Sequence, residues 1–390
     1  MRPDLATIAP FWLLFALLYA AFGAASPFLP ALIEAKGVPP EQLGLMFGAA
    51  TAIRLLSAPL AGRIADQTHA LRATLAVCCV GTALTALAYL SASGFWLLFA
   101  VSLLHAMALA PTTNLADALA LVASRRQGFE YGWVRGAGSA AFIAASIAAG
   151  FAVSAFGLGV VVALQAILML AVPFALRAVP PVIDPGTTEA ISREGFLALL
   201  RLRVFRRVVL VAALILGSHA LHDTFSIIRW TNAGVSAHAA SLLWSLAVAA
   251  EVMVFFLAGP WLLDRLGPAC AIGIAAILGA VRWLVSALTL DLTAIVLIQP
   301  LHGVTFALLH LACMRLLAIS VPPHLAATAQ ALYGTVGIGA ATALLTVASG
   351  WLYSGIGAQA FLVMSALCIA ALPLAFSLTG PAARSTAGSA

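Results

Sequence analysis

Apolar residues fill the chain in runs of 20 or more, and each run is closed by a turn residue or an arginine. A helix needs about 20 predominantly apolar residues to cross the hydrocarbon core of a bilayer. Each run therefore predicts one crossing helix. Twelve result, over residues 8–33, 41–62, 73–92, 95–121, 131–153, 158–177, 207–230, 239–263, 269–290, 292–317, 325–352 and 358–377. The first run contains Gly23-Ala24-Ala25-Ser26, which resembles a cleavage site. It exceeds the signal-peptide core of about 7 to 15 residues, so it reads as a retained helix.

Composition removes the alternatives to a membrane protein. Of 390 residues, 63% are hydrophobic and 8% charged, where soluble domains carry roughly a quarter charged residues. That is too little charge to cover a watered surface, whereas a lipid-facing surface needs none. The net charge of +6 comes from arginines dispersed among apolar runs, with Lys36 the single lysine, so no nucleic-acid patch forms. Cys78, Cys79, Cys270, Cys313 and Cys368 lie within or beside apolar runs and lack CxxC spacing. They read as small core residues, and no metal or other cofactor is expected. No GxxxxGK[ST] occurs, so ATP is not the driving ligand.

Cytoplasmic loops carry the excess of arginine. With the N-terminus inside, that side gathers thirteen arginines from Arg2 to Arg384, and the outside holds Lys36 and Arg229. Both termini are then cytoplasmic. The one long loop opens with Val179-Pro180-Pro181 and ends in the basic amphipathic stretch from Gly195 to Arg203, suited to the membrane surface. It divides the chain into an N-terminal six-helix bundle (1–177), a linker (178–206) and a C-terminal bundle with a short tail (207–390). The halves repeat. Asp66 is matched by Asp264, His105 by His302, Tyr131-Gly132 by Tyr333-Gly334 and Gly150-Phe151 by Gly350-Trp351, at offsets of 197 to 202 residues. The same frame sets Arg54 opposite Glu251. Two repeats of like orientation that meet at a midplane cleft are a recurrent transporter architecture.

Gly62-Arg63-Ile64-Ala65-Asp66 after helix 2 and Asp264-Arg265-Leu266-Gly267 after helix 8 resemble the two copies of the loop signature of the major facilitator superfamily. Gln67 and Pro260 depart from that pattern. The resemblance covers nearly the whole chain and extends to the branch of lactose-type sugar symporters, nucleoside symporters and phenylpropionate permeases. It is carried by Phe11-Trp12, Pro27-Phe28-Leu29-Pro30, Phe129 to Arg135, and Leu243-Trp244 with Glu251 and Phe255. Arg282-Trp283, Gln299, Leu301-His302-Gly303, Phe306 and His310 look most like the phenylpropionate permease group. The implied fold is all-α, with twelve transmembrane helices in two pseudo-symmetric bundles. Lactose-type symporters pair an acid on helix 4 with an arginine on helix 5, a spacing that Asp117 and Arg135 reproduce. Arg282 and His302 fit their helix 9 and helix 10 positions, but Thr305 stands where they carry a proton-bearing glutamate.

Charge at membrane depth costs roughly 2.5 to 3.5 kcal/mol per group on insertion scales and requires a partner or a watered cavity. Arg54, Asp117, Arg135, Asp223, Glu251 and Arg282 all lie inside predicted spans. Asp117 and Arg135 each stand nine residues from Arg126, hence at matching depth and within mutual reach. His219, His222 and Asp223 share one face of one turn. Arg315, near the inner end of helix 10, is expected to snorkel to the interface.

These readings assign Asp117, Arg135, His105, His219, Asp223 and His302 to a substrate, and Glu251, Arg282, His302 and Asp223 to proton coupling. Gly62, Asp66, Asp264 and Arg265 are assigned to gating, the aspartates accepting from unpaired N–H groups at helix N-termini. The expectation is a non-enzymatic, monomeric secondary transporter, in the inner membrane if the cell is bacterial. It would carry a small organic solute with protons, best an aromatic or other monocarboxylate. A nucleoside or sugar is the alternative within transport. A membrane enzyme with His219, His222, His302 and His310 as metal ligands is the alternative outside it.

Overall fold

The computed structural model describes residues 5–180 and 198–378, and of residues 5 and 6 the backbone only. Most of the linker and both chain ends, with Arg2, Arg193 and Arg384, fall outside the described residues. Every described element is helical. In chain order α1 is Leu5–Ala25, extended by the short helix Leu29–Glu34, and α2 is Pro40–Thr68. They are followed by α3 Leu71–Ser91, α4 Phe95–Gln127, α5 Tyr131–Phe156 and α6 Val160–Ala175. The second series is α7 Arg203–Asn232, α8 Ala237–Leu266, α9 Pro268–Leu288 and α10 Leu292–Ser320. It closes with α11, made of Ala326–Leu332, Tyr333–Ala340 and Ala341–Ile356, and α12 Ala360–Phe376. All twelve predicted spans thus appear as helices.

Several helices run further than their apolar runs. α2 continues to Thr68 and α4 to Gln127, so each carries about a turn or more of polar sequence past the predicted membrane boundary. The Gly62–Asp66 motif is therefore the last turns of α2 rather than a loop, because nothing in it breaks a helix. The turn comes at His69, whose left-handed φ of 51° closes the helix with its N–H bonded back to Ala65 and Asp66.

The chain forms two compact units, one of residues 5–180 and 224–245, the other of 198–223 and 246–378. In the first, α1 packs against α5 and α6, α4 against α2 and α3, and α3 against α6. In the second the same pairings recur: α7 with α11 and α12, α10 with α8 and α9, and α9 with α12. The repeat read from residue offsets is thus a repeat of packing as well. Residues 224–245 join the first unit, where Asn232 bonds Glu34 at 3.4 Å and His238 stacks on Phe151 at 5.5 Å.

Three stretches of the second series depart from α-geometry into π-helix: Val254–Ala258 in α8, Gly303–Leu308 in α10 and Tyr333–Ala340 in α11. Such turns concentrate at functional sites because the extra residue re-aims the side chains around it. α8 and α10 approach so closely here that a Cβ on Gly303 would lie 2.5 Å from the carbonyl oxygen of Ala250. Only glycine fits. That contact brings Glu251, next to Ala250, beside His302, next to Gly303.

Candidate functional site

The second unit holds a chain of polar side chains in its interior, contributed by α7, α8, α9 and α10. At its centre is Arg282, fully buried on α9 and stacked over the adjacent Trp283 ring at 4.5 Å. Its Nη1 meets His302 Nδ1 at 3.1 Å, and its Nη2 meets His222 Nε2 at 3.4 Å and donates to Gln299 Oε1 at 3.3 Å. Each imidazole then leads outward to a carboxylate. His302 Nε2 lies 3.3 Å from Glu251 Oε2, and His222 Nδ1 lies 3.3 Å from Asp223 Oδ1.

The donor inventory fixes the protons in this arrangement. A guanidinium only donates, so the ring nitrogens facing Arg282 must accept and are unprotonated. The opposite ring nitrogens, His302 Nε2 and His222 Nδ1, carry the hydrogen and donate to the carboxylates. Both histidines are neutral bridges. The result is a carboxylate–imidazole–guanidinium–imidazole–carboxylate series from Glu251 to Asp223.

Access differs along the series. Arg282 and Gln299 are sealed, whereas the side chain of Asp223 is 52% exposed and that of Glu251 25%. The centre is sealed and its two carboxylate ends are more accessible. His219 stands beside the series, its ring edge on Trp283 and His302. Its Nδ1 meets the Ile215 carbonyl at 3.0 Å, so Nδ1 carries the hydrogen and Nε2 accepts from the Thr305 hydroxyl at 3.0 Å. Where the lactose-type pattern has a glutamate, the hydroxyl of Thr305 therefore holds His219 in one tautomer.

In the first unit the helix 4 and helix 5 residues meet differently from expectation. Asp117 accepts from the Tyr131 hydroxyl at 2.7 Å and forms no ion pair with Arg135. Arg135 lies over the ring of Tyr19 at 4.4 Å. Matching depth allowed the pair; what the sequence spacing could not give was azimuth, and Tyr131 at the start of α5 occupies the direction of Asp117. The repeated Tyr-Gly marks the same device in the other unit, where Tyr333 of α11 bonds His310 Nδ1 of α10 at 3.2 Å.

His105 is 2% exposed, with Nδ1 at 3.1 Å from Thr85 Oγ1. Tyr89 packs edge-on against its ring and donates to Ser102 at 3.0 Å. Of the gating candidates, Asp264 of α8 binds Arg315 of α10, and both side chains are exposed. Arg265 lies over Trp261 at 4.4 Å, and Gly62 and Asp66 sit in the last turns of α2. Gln299, Thr85 and Tyr131 belong to these clusters and were not assigned a role from sequence, and His222 was named only as a ligand in the metal-enzyme alternative. Thr85 carried a signal, because it lies 197 residues before Arg282, the offset that relates His105 to His302.

Apolar helices in two matching series, with charge held at membrane depth, define a multi-pass membrane transporter. The MFS_1 like family model matches residues 10–363, and the chain belongs to that family. A protein of Escherichia coli (strain K12) described as a probable 3-phenylpropionic acid transporter is 32% identical over 356 residues, 91% of this chain and 93% of that one. The maltose permease of Geobacillus stearothermophilus is 26% identical over 344 residues, 88% and 86% of the two chains. Among solved structures, a mutant of the nucleoside transporter NupG matches with a TM-score of 0.86 at 17% identity, covering 96% of this chain and 100% of that one. That likeness is one of fold.

Proposed function

We propose that this chain is a symporter of an aromatic or other monocarboxylate, driven by protons and working by alternating access. The carrying observation is the series from Glu251 through His302, Arg282 and His222 to Asp223. It contains one fixed cation and two carboxylates, so it is neutral when it holds one proton. A sealed centre favours that neutral count, because unpaired charge in low dielectric is costly. The 32% identical relative described as a probable 3-phenylpropionic acid transporter supports the substrate class. Asp117, Arg135, His105, His219, Asp223 and His302 are the proposed substrate contacts. Gly62, Asp66, Asp264 and Arg265 form the proposed gate at the cytoplasmic helix ends.

One proton carried with one carboxylate moves no net charge. In proteoliposomes, an inward pH gradient should therefore drive uptake, and a potassium diffusion potential set with valinomycin at equal pH should not. Accumulation driven by the potential alone would overturn the one-to-one count.

The arginine asymmetry supports the further proposal that both termini are cytoplasmic and that the chain acts as a monomer, in the inner membrane if the cell is bacterial. Thr68 at the end of α2 and Ser354 near the end of α11 are both exposed. Single cysteines at these positions, in a background without native cysteine, should react with an impermeant maleimide from opposite sides. Labelling of both from outside would contradict this orientation, and chemical cross-linking to dimers in native membranes would contradict the monomer.

A further inference from the structure

The two units carry the same three-helix arrangement of side chains with one charge reversed. In the second unit, His302 of α10 joins Arg282 of α9 through Nδ1 and Glu251 of α8 through Nε2. In the first unit, the residues 197 positions earlier are His105 of α4, Thr85 of α3 and Arg54 of α2. His105 joins Thr85 through Nδ1 at 3.1 Å, as His302 joins Arg282 at 3.1 Å. The position of Glu251 is taken by Arg54, whose guanidinium is in electrostatic range of His105 and Tyr89. So the second set contains its own carboxylate, and the first has a cation in its place.

The first set is incomplete in two ways. The Nε2 of His105 is buried without a hydrogen-bond partner. Among the described residues no carboxylate pairs with Arg54, and its guanidinium makes no hydrogen bond. Arg54 lies fourteen residues into the 29-residue α2, about 20 Å from either end, at the depth of the hydrocarbon core. It is nevertheless exposed, while its neighbours Tyr89 and His105 are 1% and 2% exposed. A bare arginine at that depth cannot rest against lipid. At that depth it requires a watered face and a counter-anion.

We infer that Arg54 and His105 form the receptor for the carboxylate of the transported substrate. The ligand's carboxylate occupies the place that Glu251 holds in the other repeat. It lies against His105, whose Nδ1 bonds Thr85 while the Thr85 hydroxyl donates to the Gly81 and Thr82 carbonyls. Arg54 supplies the countercharge in forked geometry, which suits a carboxylate better than an ammonium does. Discrimination follows from the same groups. An amide or alcohol of the same shape leaves the cation unneutralised, so neutral analogues bind poorly.

This inference rests on the monocarboxylate reading above, and its test separates the two. The purified protein is titrated calorimetrically with 3-phenylpropionate and with its neutral isostere 3-phenylpropanamide. The wild type should prefer the acid. Arg54→Gln should weaken binding of the acid by about thirtyfold or more, the scale for removing one partner of a desolvated charge pair. It should leave the amide unchanged, and Arg54→Lys should keep the acid within about tenfold of wild type. Equal binding of the acid by wild type and Arg54→Gln overturns the role of Arg54. Failure of the wild type to bind the acid, or to prefer it over the amide, overturns the monocarboxylate reading instead. A second measurement needs no variant. In the wild type, 3-phenylpropionate should shield Arg54 from butane-2,3-dione in borate, read by peptide mass spectrometry, and the amide should not. Absence of that shielding under saturating acid overturns the assignment.

Discussion

Replacing Glu251 with glutamine should abolish pH-gradient-driven accumulation while leaving substrate exchange intact. Glu251 is a partly exposed end of the series, in contact with His302 at 3.3 Å, and so the carboxylate proposed to pass a proton to and from the sealed centre. Glutamine keeps the shape and can still accept from His302 Nε2–H, so the arrangement around Arg282 should stand. It can no longer give up a proton. Exchange needs no net proton release and should continue at near the wild-type rate. With one proton per substrate, a gradient of one pH unit sustains about a tenfold concentration ratio, and the variant should fall to a ratio of about one. Wild-type accumulation by this variant would move the carrier to Asp223, and Asp223→Asn would then be expected to show the phenotype.

Arg282→Gln should have the larger structural effect. Arg282 is fully buried and bonds His302, His222 and Gln299, and it is the one cation between two carboxylates. Removing one partner of a buried charge pair costs about 3 to 5 kcal/mol, because the charge left behind has lost its compensation. The variant should melt well below wild type and not transport. Arg282→Lys should restore the charge but little of the transport, since a point charge on a flexible stem cannot hold two imidazoles and an amide in the geometry of the guanidinium fork. Adding Glu251→Gln to Arg282→Gln should recover part of the lost stability. If Arg282→Gln melts as wild type does, the series is not the electrostatic unit described here.

The fold was legible because a bilayer makes strong demands on sequence. Backbone groups must be satisfied within each span, so run length alone predicts twelve helices. Where a helix ends beyond the membrane is set by local chemistry that hydropathy does not see. For that reason Asp66 lies in the last turns of α2 and not in a loop. The cluster of Arg282, His302 and Glu251 was legible from charge at membrane depth together with the resemblance to lactose-type symporters. Asp117 and Arg135 were legible by depth alone, and depth says nothing of direction around a helix. Tyr131, a residue with no charge to draw notice, decides that contact. Arg54 and Thr85 show the converse. Arg54 is marked by its depth alone and Thr85 by nothing of its own, and both gain a place once the repeat offset sets them opposite Glu251 and Arg282.

The central claim is proton-driven transport of a monocarboxylate, and uptake by the purified protein in proteoliposomes tests it most directly. Radiolabelled 3-phenylpropionate is presented outside at a pH one unit below the lumen, with uridine and maltose in parallel. The account predicts that the acid alone is concentrated, to about tenfold, and that a protonophore with valinomycin and potassium collapses the ratio to one. Equilibration of the acid without concentration, or concentration of uridine or maltose in its place, would contradict it.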